Sequence, residues 1–446
     1  MRRIAASIAA ALLLLTAAPA SAGSGEAGPG SQKYTVVASW NQAARELTGS
    51  ETVSFTNNRT SPLSSVHLRL WPNGQSGCAK PFVSVRNLVG GTAGSLEAGC
   101  TGLPIALSAA IRPGETGRIS FTFVDKVPKN WNFRYGISGH AAMLGNALPI
   151  LALTDDLGLH DEPYTINGES MYSSVASWDV ALTIPAGTKA ATTGTVSSHS
   201  TLPSGRKQLV IEAPSERDFA MSIGRFQVSP ATVRGIRIRY FKQASNGTPA
   251  REVLAWAREA VNSFTEHYGA YNQPEIDLVE GTWRANGFEF PGMLMVDGSR
   301  DVVFHEIAHL WWYSMVGNNQ WLSPWTDESF AEFSNRRLKG TNLNCDGGHP
   351  FAGVGGSLPL DSDMGTFDAR GHYTGTVYQG GSCALEKLRR DWGDARFDSF
   401  MSGLVTDFRN GIQGTCDVVG AIDAARPQGY DMEEFLATAR LSSAGC

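Results

Sequence analysis

Two histidines and two glutamates in the second half of the chain have the types and the spacing of a metal-dependent hydrolytic site. His305 and His309 are four positions apart, so on a helix both imidazoles lie on one face and can bind one ion. Glu306 follows the first histidine and is placed to reach a water on the metal. Glu328 can be the third protein ligand. A zinc peptidase requires such a set, which predicts one Zn²⁺ per chain.

The chain around these residues is predicted to alternate between helix and strand. Residues 251–268 have the apolar spacing of a helix, and Gly269 ends it. A strand-like run at 276–279 follows, and residues 288–296 form a second apolar run ahead of the histidines. Further helices are expected towards the C-terminus, for example at 395–408 and 431–441.

The first half of the chain has the residue alternation of a β-rich domain. Apolar and polar residues alternate with period two at 53–55, 118–123 and 180–184. Clusters of Asn, Pro and Gly mark turns between these runs. The pattern predicts an antiparallel sheet with one buried face from residue 34 to about residue 225. Alone, such a domain could equally be a carbohydrate-binding or adhesion module.

Runs of residues along nearly the whole chain resemble one enzyme family. They include Leu68-Arg-Leu70-Trp71-Pro72-Asn73, Asn167-Gly168-Glu169-Ser170, Trp311-Trp312 and Trp325-Thr-Asp327-Glu328-Ser329-Phe-Ala. These runs are similar to the aminopeptidase N and leukotriene hydrolase family of zinc-dependent gluzincins. Eighteen residues separate His309 from Glu328, which is that family's spacing. The resemblance implies a short, two-domain, secreted, bacterial-type member.

The resemblance implies an α+β multidomain fold. Residues 23–230 are expected to form an N-terminal, saddle-like antiparallel β-sheet domain, and a signal peptide is expected before it at 1–22. Residues 231–446 are expected to form a thermolysin-like catalytic domain that is first mixed α/β and then α-helical. The family's C-terminal superhelical domain is expected to be missing, which predicts a more open active site.

The metal ligands implied by the resemblance are His305, His309 and Glu328. Asp327 and Ser329 stand where the family commonly has Asn and Gly, and these changes leave Glu328 as the expected ligand. Glu332 lies one turn later and can accept a hydrogen bond from a ligating histidine, which would fix its orientation. The alternative for Glu332 is an ordinary charge on a helix face.

Glu289 is the predicted binding residue for the substrate's α-amino group. In the resembled family, the glutamate of a strand with the pattern G-A-M-E-N holds that group, and Asn286 to Phe290 fall in the same register. Gly287 and Phe288 are therefore expected to contact substrate as well. The alternative is a solvent-facing glutamate on an edge strand. A second amine-binding side chain, usually a glutamine in the β-domain, has no clear counterpart in the sequence.

Tyr378 is the predicted donor to the substrate's carbonyl oxygen. The resembled family carries a tyrosine in a Y-x-K-G context at the start of a helix, and here Tyr378 precedes Gln379-Gly380-Gly381. A tyrosine that serves only in packing is the alternative. The Gly-rich stretch at 345–375 is predicted to be a loop without helix.

A group of acidic residues lies in the predicted β-domain. Its members are Asp155, Asp156, Asp161 and Glu162. One interpretation is solvated loop charge. The other is a rim of the substrate cleft, since this loop faces the catalytic domain in the resembled family.

The N-terminus and the cysteines predict an exported protein. Arg2 and Arg3 precede an apolar run at 4–18 and a small-residue site, so cleavage is expected after Ala22. The run is too short to span a bilayer comfortably, and the cleaved chain is expected to lack a membrane span; an uncleaved N-terminal anchor is the alternative. Six cysteines in an exported chain predict disulfides, and proximity favours Cys78–Cys100, Cys345–Cys383 and Cys416–Cys446.

Charge limits the partners. The 37 basic residues include Arg2 and Arg3, so the cleaved chain would carry 35 against 42 acidic residues. A mildly acidic chain without a basic cluster argues against nucleic acid as a partner. Peptide substrates and a monomer are expected.

Three functions remain open from the sequence. The leading hypothesis is a secreted zinc aminopeptidase in which Glu306 is the general base. The second is a zinc endopeptidase, or another hydrolase with the same centre. The third is a non-catalytic binding protein with a structural zinc site, although such a site would need neither Glu306 nor Tyr378.

Overall fold

A computed structural model describes residues 27–129, 134–243, 247–282, 286–341, 345, 358–442 and 446. The predicted signal peptide at 1–22 lies outside the described residues. In these ranges no helix combines the length and the apolar character that crossing a bilayer requires.

The first half of the described chain is built from strands. They are β1 (Gly30–Asn41), β2 (Glu46–Thr56), β3 (Leu63–Arg69), β4 (Val83–Val89), β5 (Gly91–Ala93), β6 (Gly102–Ile111), β7 (Thr116–Lys126), β8 (Tyr135–Ser138), β9 (Ala141–Leu144), β10 (Ile150–Leu151), β11 (Thr154–Asp155), β12 (Gly158–Leu159), β13 (Ala176–Ile184), β14 (Lys189–Thr192), β15 (Thr195–Thr201), β16 (Lys207–Glu216) and β17 (Met221–Gly224).

The largest sheet in this half has seven strands in the order β15-β16-β13-β1-β2-β7-β4. Side chains of β1 are alternately buried and exposed over most of its length, so one face of the sheet lies in the core. The ring of Tyr34 stacks on that of Trp178 at 3.9 Å, which fastens β1 to β13. The sheet was predicted to be antiparallel, but β1 and β13 pair in parallel. More than 100 residues separate these two strands, which is ample chain for the crossover that a parallel pair needs.

The second half combines one sheet with helices. The strands are β18 (Phe226–Val233), β19 (Ile236–Gln243), β20 (Glu275–Glu280) and β21 (Met293–Val296). The helices of the described chain are α1 (Asn73–Ser76, in the first half), α2 (Ala250–Tyr268), α3 (Arg300–Ala308), α4 (Trp325–Lys339), α5 (Met364–Arg370), α6 (Gly381–Trp392), α7 (Asp394–Asp407), α8 (Thr415–Ala425) and α9 (Met432–Ala439), with a 3₁₀ turn at Ala98–Cys100 and a π-helical segment at Thr374–Gly380.

This order positions the predicted metal-binding helix. The sheet runs β18-β19-β20-β21, and its last three strands are parallel. Helix α2 supplies the crossover between β19 and β20, and α3 follows β21 directly. The predicted α+β fold class is confirmed. Strand β18 spans residue 230, where the sequence places the domain boundary, and that division stays a prediction.

Two local predictions have different outcomes. The three predicted disulfides are all present, with Cα–Cα distances of 5.1 Å, 5.7 Å and 5.1 Å. The prediction of no helix in 345–375 is wrong for α5 and for the first residues of the π-helical segment. Helix α5 forms because the Asp363 side chain accepts the Thr366 amide at 2.7 Å, and this cap compensates for the glycines nearby.

Arg217 joins the two halves of the fold. Its buried guanidinium donates to the carbonyl of Ser173 at 2.8 Å in the strand-rich half. It also donates to the carbonyls of Ser314 at 3.1 Å and Gly411 at 2.9 Å in the helical half. One cation thus connects three segments that are far apart in the sequence.

Asp125 on β7 predicts a pH-dependent stability. The side chain is buried, and burial raises its pKa to about 8, although Tyr135 donates a hydrogen bond to it. Because the folded-state pKa exceeds the unfolded value of about 4, this residue's contribution to stability is complete below about pH 4. It is lost as the pH rises towards 8.

Asp125→Asn should therefore gain stability relative to the wild type as the pH rises from 4 to 8, by up to about 1.4 kcal/mol per pH unit. Urea unfolding at pH 4, 6 and 8 measures this difference. Asp179→Asn on β13, where the carboxylate is 47% exposed and pairs with Lys33, should show no such gain because burial is the cause. A constant difference for Asp125→Asn would contradict the assignment.

Candidate active site

Helices α3 and α4 carry the predicted metal ligands. Helix α3 begins after Ser299, whose side chain accepts the Val302 amide at 3.4 Å. It places His305 in its last turn, and His309 is the residue that ends it. Helix α4 carries Glu328 in its first turn and packs against α3.

The three predicted ligands converge on one point. His305 Nε2 and His309 Nε2 lie 3.0 Å apart. Glu328 Oε2 lies 3.1 Å from the first of these nitrogens and 3.3 Å from the second. Two imidazole nitrogens and a carboxylate oxygen that face each other at these distances are a donor set that fits Zn²⁺. The set therefore fits the metal that the sequence predicts.

Each histidine is oriented by a carboxylate on its other ring nitrogen. His305 Nδ1 lies 3.3 Å from Glu332 Oε2, and His309 Nδ1 lies 2.7 Å from Asp327 Oδ1. Acceptors at Nδ1 leave the Nε2 lone pairs directed at the metal position. Glu332 was predicted to lie here, whereas Asp327 was read only as a replacement for Asn. Its signal in the sequence was its place beside Glu328, in the same helical turn.

Glu306 lies in the same buried region. The pKa of its carboxyl is raised to about 8, mainly by burial; the charges of both histidines oppose this rise and that of Glu289 adds to it. Its Oε2 has no hydrogen-bond partner among the described residues. A divalent cation at the neighbouring position would favour the ionised form. One oxygen of this carboxylate is therefore left beside the ligand set without a side-chain partner among the described residues.

A second set of possible ligand atoms overlaps the first. Oxygens of Glu289 and Glu306 and a nitrogen of His309 lie within 4.8 Å of one another. Zinc favours the first set, because that set offers two imidazoles and each has a carboxylate behind it. The overlap places the Glu289 carboxylate beside the predicted metal position.

A cavity of about 570 Å³ opens at this point and is lined by residues from both halves of the fold. Gly287 forms part of its wall, and a Cβ there would lie 2.4 Å from Glu306 Oε1. Glycine is therefore needed for the backbone to pass close to Glu306. Phe288 lies next to it in the wall.

Glu289 is positioned differently from the expectation. It was predicted on a strand, but the only pairing of its segment within the described residues is a single bridge between Phe288 and Met295. The alternative of a solvent-facing side chain is wrong, since Glu289 is 5% exposed. It lines the cavity.

A second carboxylate, Glu169, lines the same cavity and comes from the strand-rich half. From the sequence, that half has no clear candidate for a second amine-binding side chain. Glu169 is buried and forms an ion pair with Arg134. Burial and the nearby charge of Glu289 raise the pKa of Glu169 well above its usual range. Arg134 also lies over the ring of Phe288, 5.3 Å from its centroid. In the sequence, the feature that could have indicated Glu169 is the family-like run Asn167-Gly168-Glu169-Ser170.

Tyr378 lies on the π-helical segment that leads into α6. Its ring stacks on His305 with centroids 5.6 Å apart and 13° between the planes. Its hydroxyl hydrogen-bonds to Glu328, and burial raises its pKa well above the ordinary value. The hydroxyl is thus protonated at neutral pH and lies at the ligand set.

Two members of the acidic group in the first half, Asp155 and Glu162, pair with a buried histidine, which neither interpretation predicted. Asp155 Oδ2 lies 2.8 Å from His160 Nε2, and Glu162 Oε1 lies 2.7 Å from His160 Nδ1. Asn319 donates to Glu162 at 3.2 Å from the helical half. Both carboxylates lie outside the cavity at the ligand set. They are neither solvated nor part of a cleft rim, because they neutralise a buried imidazole.

The fold is that of M1 zinc metallopeptidases. A mutant of the M1 zinc metallopeptidase from Deinococcus radiodurans matches with a TM-score of 0.70 at 18% identity, over 93% of this chain and 94% of that chain. The same mutant bound to the substrate Tyr-Ser-Ala matches with a TM-score of 0.69 at 18% identity, over 93% and 94% of the two chains. A two-domain M1 zinc metallopeptidase mutant bound to L-tryptophan has a TM-score of 0.67 at 18% identity, over 94% and 95%. The predicted resemblance is confirmed at the level of the fold.

Sequence comparison finds aminopeptidases over a shorter stretch. Human aminopeptidase B is 30% identical over 145 residues, which cover 27% of this chain and 22% of that enzyme. Rat aminopeptidase B is 29% identical over the same length and the same shares. The chain thus matches about a fifth of the length of these curated relatives. No protein-family model matches the chain.

Glu332→Gln should weaken zinc binding about 10- to 100-fold, because it removes the charge behind His305. Chelator competition with a zinc-sensitive dye measures the affinity without any assay of activity. Glu386→Gln is the matched control, since Glu386 is also a helical glutamate that pairs with an arginine four residues later. Equal zinc affinity in both variants would contradict the contribution of Glu332.

Proposed function

We propose that this protein is a zinc-dependent aminopeptidase that removes N-terminal residues from peptides. One observation carries the proposal: the cavity at the zinc-fitting ligand set is also lined by two buried carboxylates, Glu289 and Glu169. Two carboxylates beside a metal-binding set can accept hydrogen bonds from a substrate's free ammonium group, whose positive charge favours their ionised forms.

The two carboxylates explain a preference for free N-termini. Burying two like charges together is unfavourable, and each disfavours ionisation of the other. Arg134 offsets part of that cost through its ion pair with Glu169. A substrate ammonium between Glu289 and Glu169 offsets the rest, which fixes both the charge and the register of the bound peptide.

His305, His309 and Glu328 would hold the zinc, which acts as a Lewis acid towards water and towards a carbonyl oxygen. The carboxylate of Glu306 takes the proton of the attacking water and returns it to the leaving amine. The hydroxyl of Tyr378 donates a hydrogen bond to the carbonyl oxygen as it becomes negatively charged.

We also propose the cellular setting and the organisation that the sequence predicts. Three disulfides support an exported protein, because such bonds persist in oxidising compartments. Export, cleavage after Ala22, a monomer and the division into domains at 23–230 and 231–446 belong to this proposal. Mass spectrometry of the secreted protein tests the cleavage site.

Glu306→Gln should lower kcat by about 10³-fold or more, because the amide cannot accept the proton. It should retain one zinc per chain, since Glu306 is not among the proposed ligands. Zinc is quantified by elemental analysis alongside steady-state kinetics. Loss of the metal in this variant would assign Glu306 to the ligand set instead.

The proposed exopeptidase specificity is tested with paired peptides that differ only in N-acetylation. The wild type should cleave the free peptides and should lose activity with chelator, and zinc should restore it. Glu289→Gln should raise KM for free peptides about tenfold or more, because it removes one charge facing the ammonium group. Equal cleavage of both peptides by the wild type would favour an endopeptidase. A wild type that binds no zinc and resists chelator would indicate a binding protein.

A further inference from the structure

Gln320 connects the amine-binding side of the cavity to the histidine side. It lies in the segment between α3 and α4 and is 2% exposed. Its Nε2 lies 3.2 Å from Glu289 Oε1 and 2.6 Å from Asp327 Oδ2. Asp327 in turn accepts from His309 at 2.7 Å. One amide nitrogen therefore stands between two carboxylates with different proposed tasks.

The direction of this amide follows from the chemistry of its neighbours. Glu289 and Asp327 are acceptors when ionised, so the NH₂ group of Gln320 must face them. Both of its hydrogens are then used, one for each carboxylate. The carbonyl oxygen of Gln320 has no hydrogen-bond partner among the described residues. An unsatisfied buried acceptor is costly, which indicates that the contacts of the NH₂ group decide the orientation.

The strand-rich half of the fold holds the backbone of this segment. The backbone N–H of Gln320 donates to the Met171 carbonyl at 3.2 Å. The preceding side chain, Asn319, donates to Glu162 at 3.2 Å, and Glu162 contacts the buried His160. Gln320 is thus fixed by the loop that also carries Glu169.

We propose that Gln320 is a positioning residue that sets the direction of the Glu289 carboxylate for binding the substrate's ammonium group. The inference rests on the proposed aminopeptidase function and extends it to a residue behind the cavity wall. The amide holds one oxygen of Glu289 at its back, so that the other oxygen is presented to the substrate. Through Asp327, the same amide couples this carboxylate to the orientation of His309.

Loss of the amide has a specific consequence. Without a donor between them, two buried carboxylates repel each other, and Glu289 loses its fixed direction. Binding of free-amine ligands then weakens, whereas ligands with a blocked amine are unaffected because they do not use Glu289. A role in packing alone would instead lower the stability and affect both kinds of ligand equally.

The test uses Gln320→Met in the full chain loaded with zinc, because methionine keeps the length and volume and removes the donor. The matched control is Gln413→Met, since Gln413 is also fully buried and donates to a carbonyl on α4, that of Thr326. Competitive inhibition by leucinamide and by N-acetyl-leucinamide is measured for each protein, together with zinc content and thermal unfolding.

We expect Gln320→Met to raise the inhibition constant of leucinamide about tenfold or more. The inhibition constant of N-acetyl-leucinamide should be unchanged, and the variant should retain one zinc per chain. Gln413→Met should leave the ratio of the two inhibition constants unchanged. In a Glu289→Gln background, Gln320→Met should add little further loss, because the residue it positions is already neutral. The inference would be overturned if the losses from Glu289→Gln and Gln320→Met added in full. It would also be overturned if Gln320→Met left the ratio of the two inhibition constants unchanged.

The outcomes separate this inference from the proposed function. If the wild type binds both amides equally, the aminopeptidase proposal fails. If the wild type discriminates and Gln320→Met discriminates equally well, only the role of Gln320 fails. Should Gln320→Met not fold, Gln320→Leu also removes the NH₂ donor without adding a charge or another donor, and the same ratio decides.

Discussion

Burial of several carboxylates around two imidazoles is the constraint on which the rest of the structure depends. Glu306, Glu328, Asp327 and Glu289 are all nearly inaccessible to solvent and lie close to His305 and His309. Such an arrangement is unstable unless cations balance it. The convergence of three ligand atoms at 3.0–3.3 Å indicates where the main balancing charge belongs. The fold has to hold these groups together against their mutual repulsion.

The surrounding architecture meets that requirement with short connections and buried pairs. Helix α3 follows strand β21 directly, so the histidines lie on the helix that leaves the parallel part of a buried sheet. The carboxylates of Glu332 and Asp327 both come from α4, which therefore supplies one ligand and both orienting groups. The strand-rich half contributes the opposite wall through Arg134 and Glu169. The cavity therefore needs both halves.

Local patterns predicted what depends on local geometry. The ligand set could be predicted because His305 and His309 share one helical face and Glu328 stands at a recognisable spacing. Helix α5 was missed, since its glycine-rich surroundings conceal a cap that one aspartate supplies. The parallel pairing of β1 with β13 was missed as well, because alternation reports burial and not strand direction.

The site residues that the sequence did not reveal depend on contacts between residues far apart in the chain. Glu169 acquires its place through an arginine 35 positions earlier, and Gln320 reaches a carboxylate 31 positions earlier. Neither residue has a spacing or neighbours that reveal its partner. Asp327 was read as a substitution within a motif, although it makes the shortest contact to a ligating histidine. Polar networks of this kind become visible only once the chain is folded.

The guanidinium of Arg217 has a consequence for how the molecule can be divided. Its three carbonyl partners come from segments on both sides of the junction. Without the helical half, the Arg217 guanidinium would keep only one of its three carbonyl partners, that of Ser173. Without the strand-rich half, the carbonyls of Ser314 and Gly411 would lose their donor. Folding of the two halves is therefore mutually dependent, and an engineered split should be placed at an outer loop of one half rather than between them.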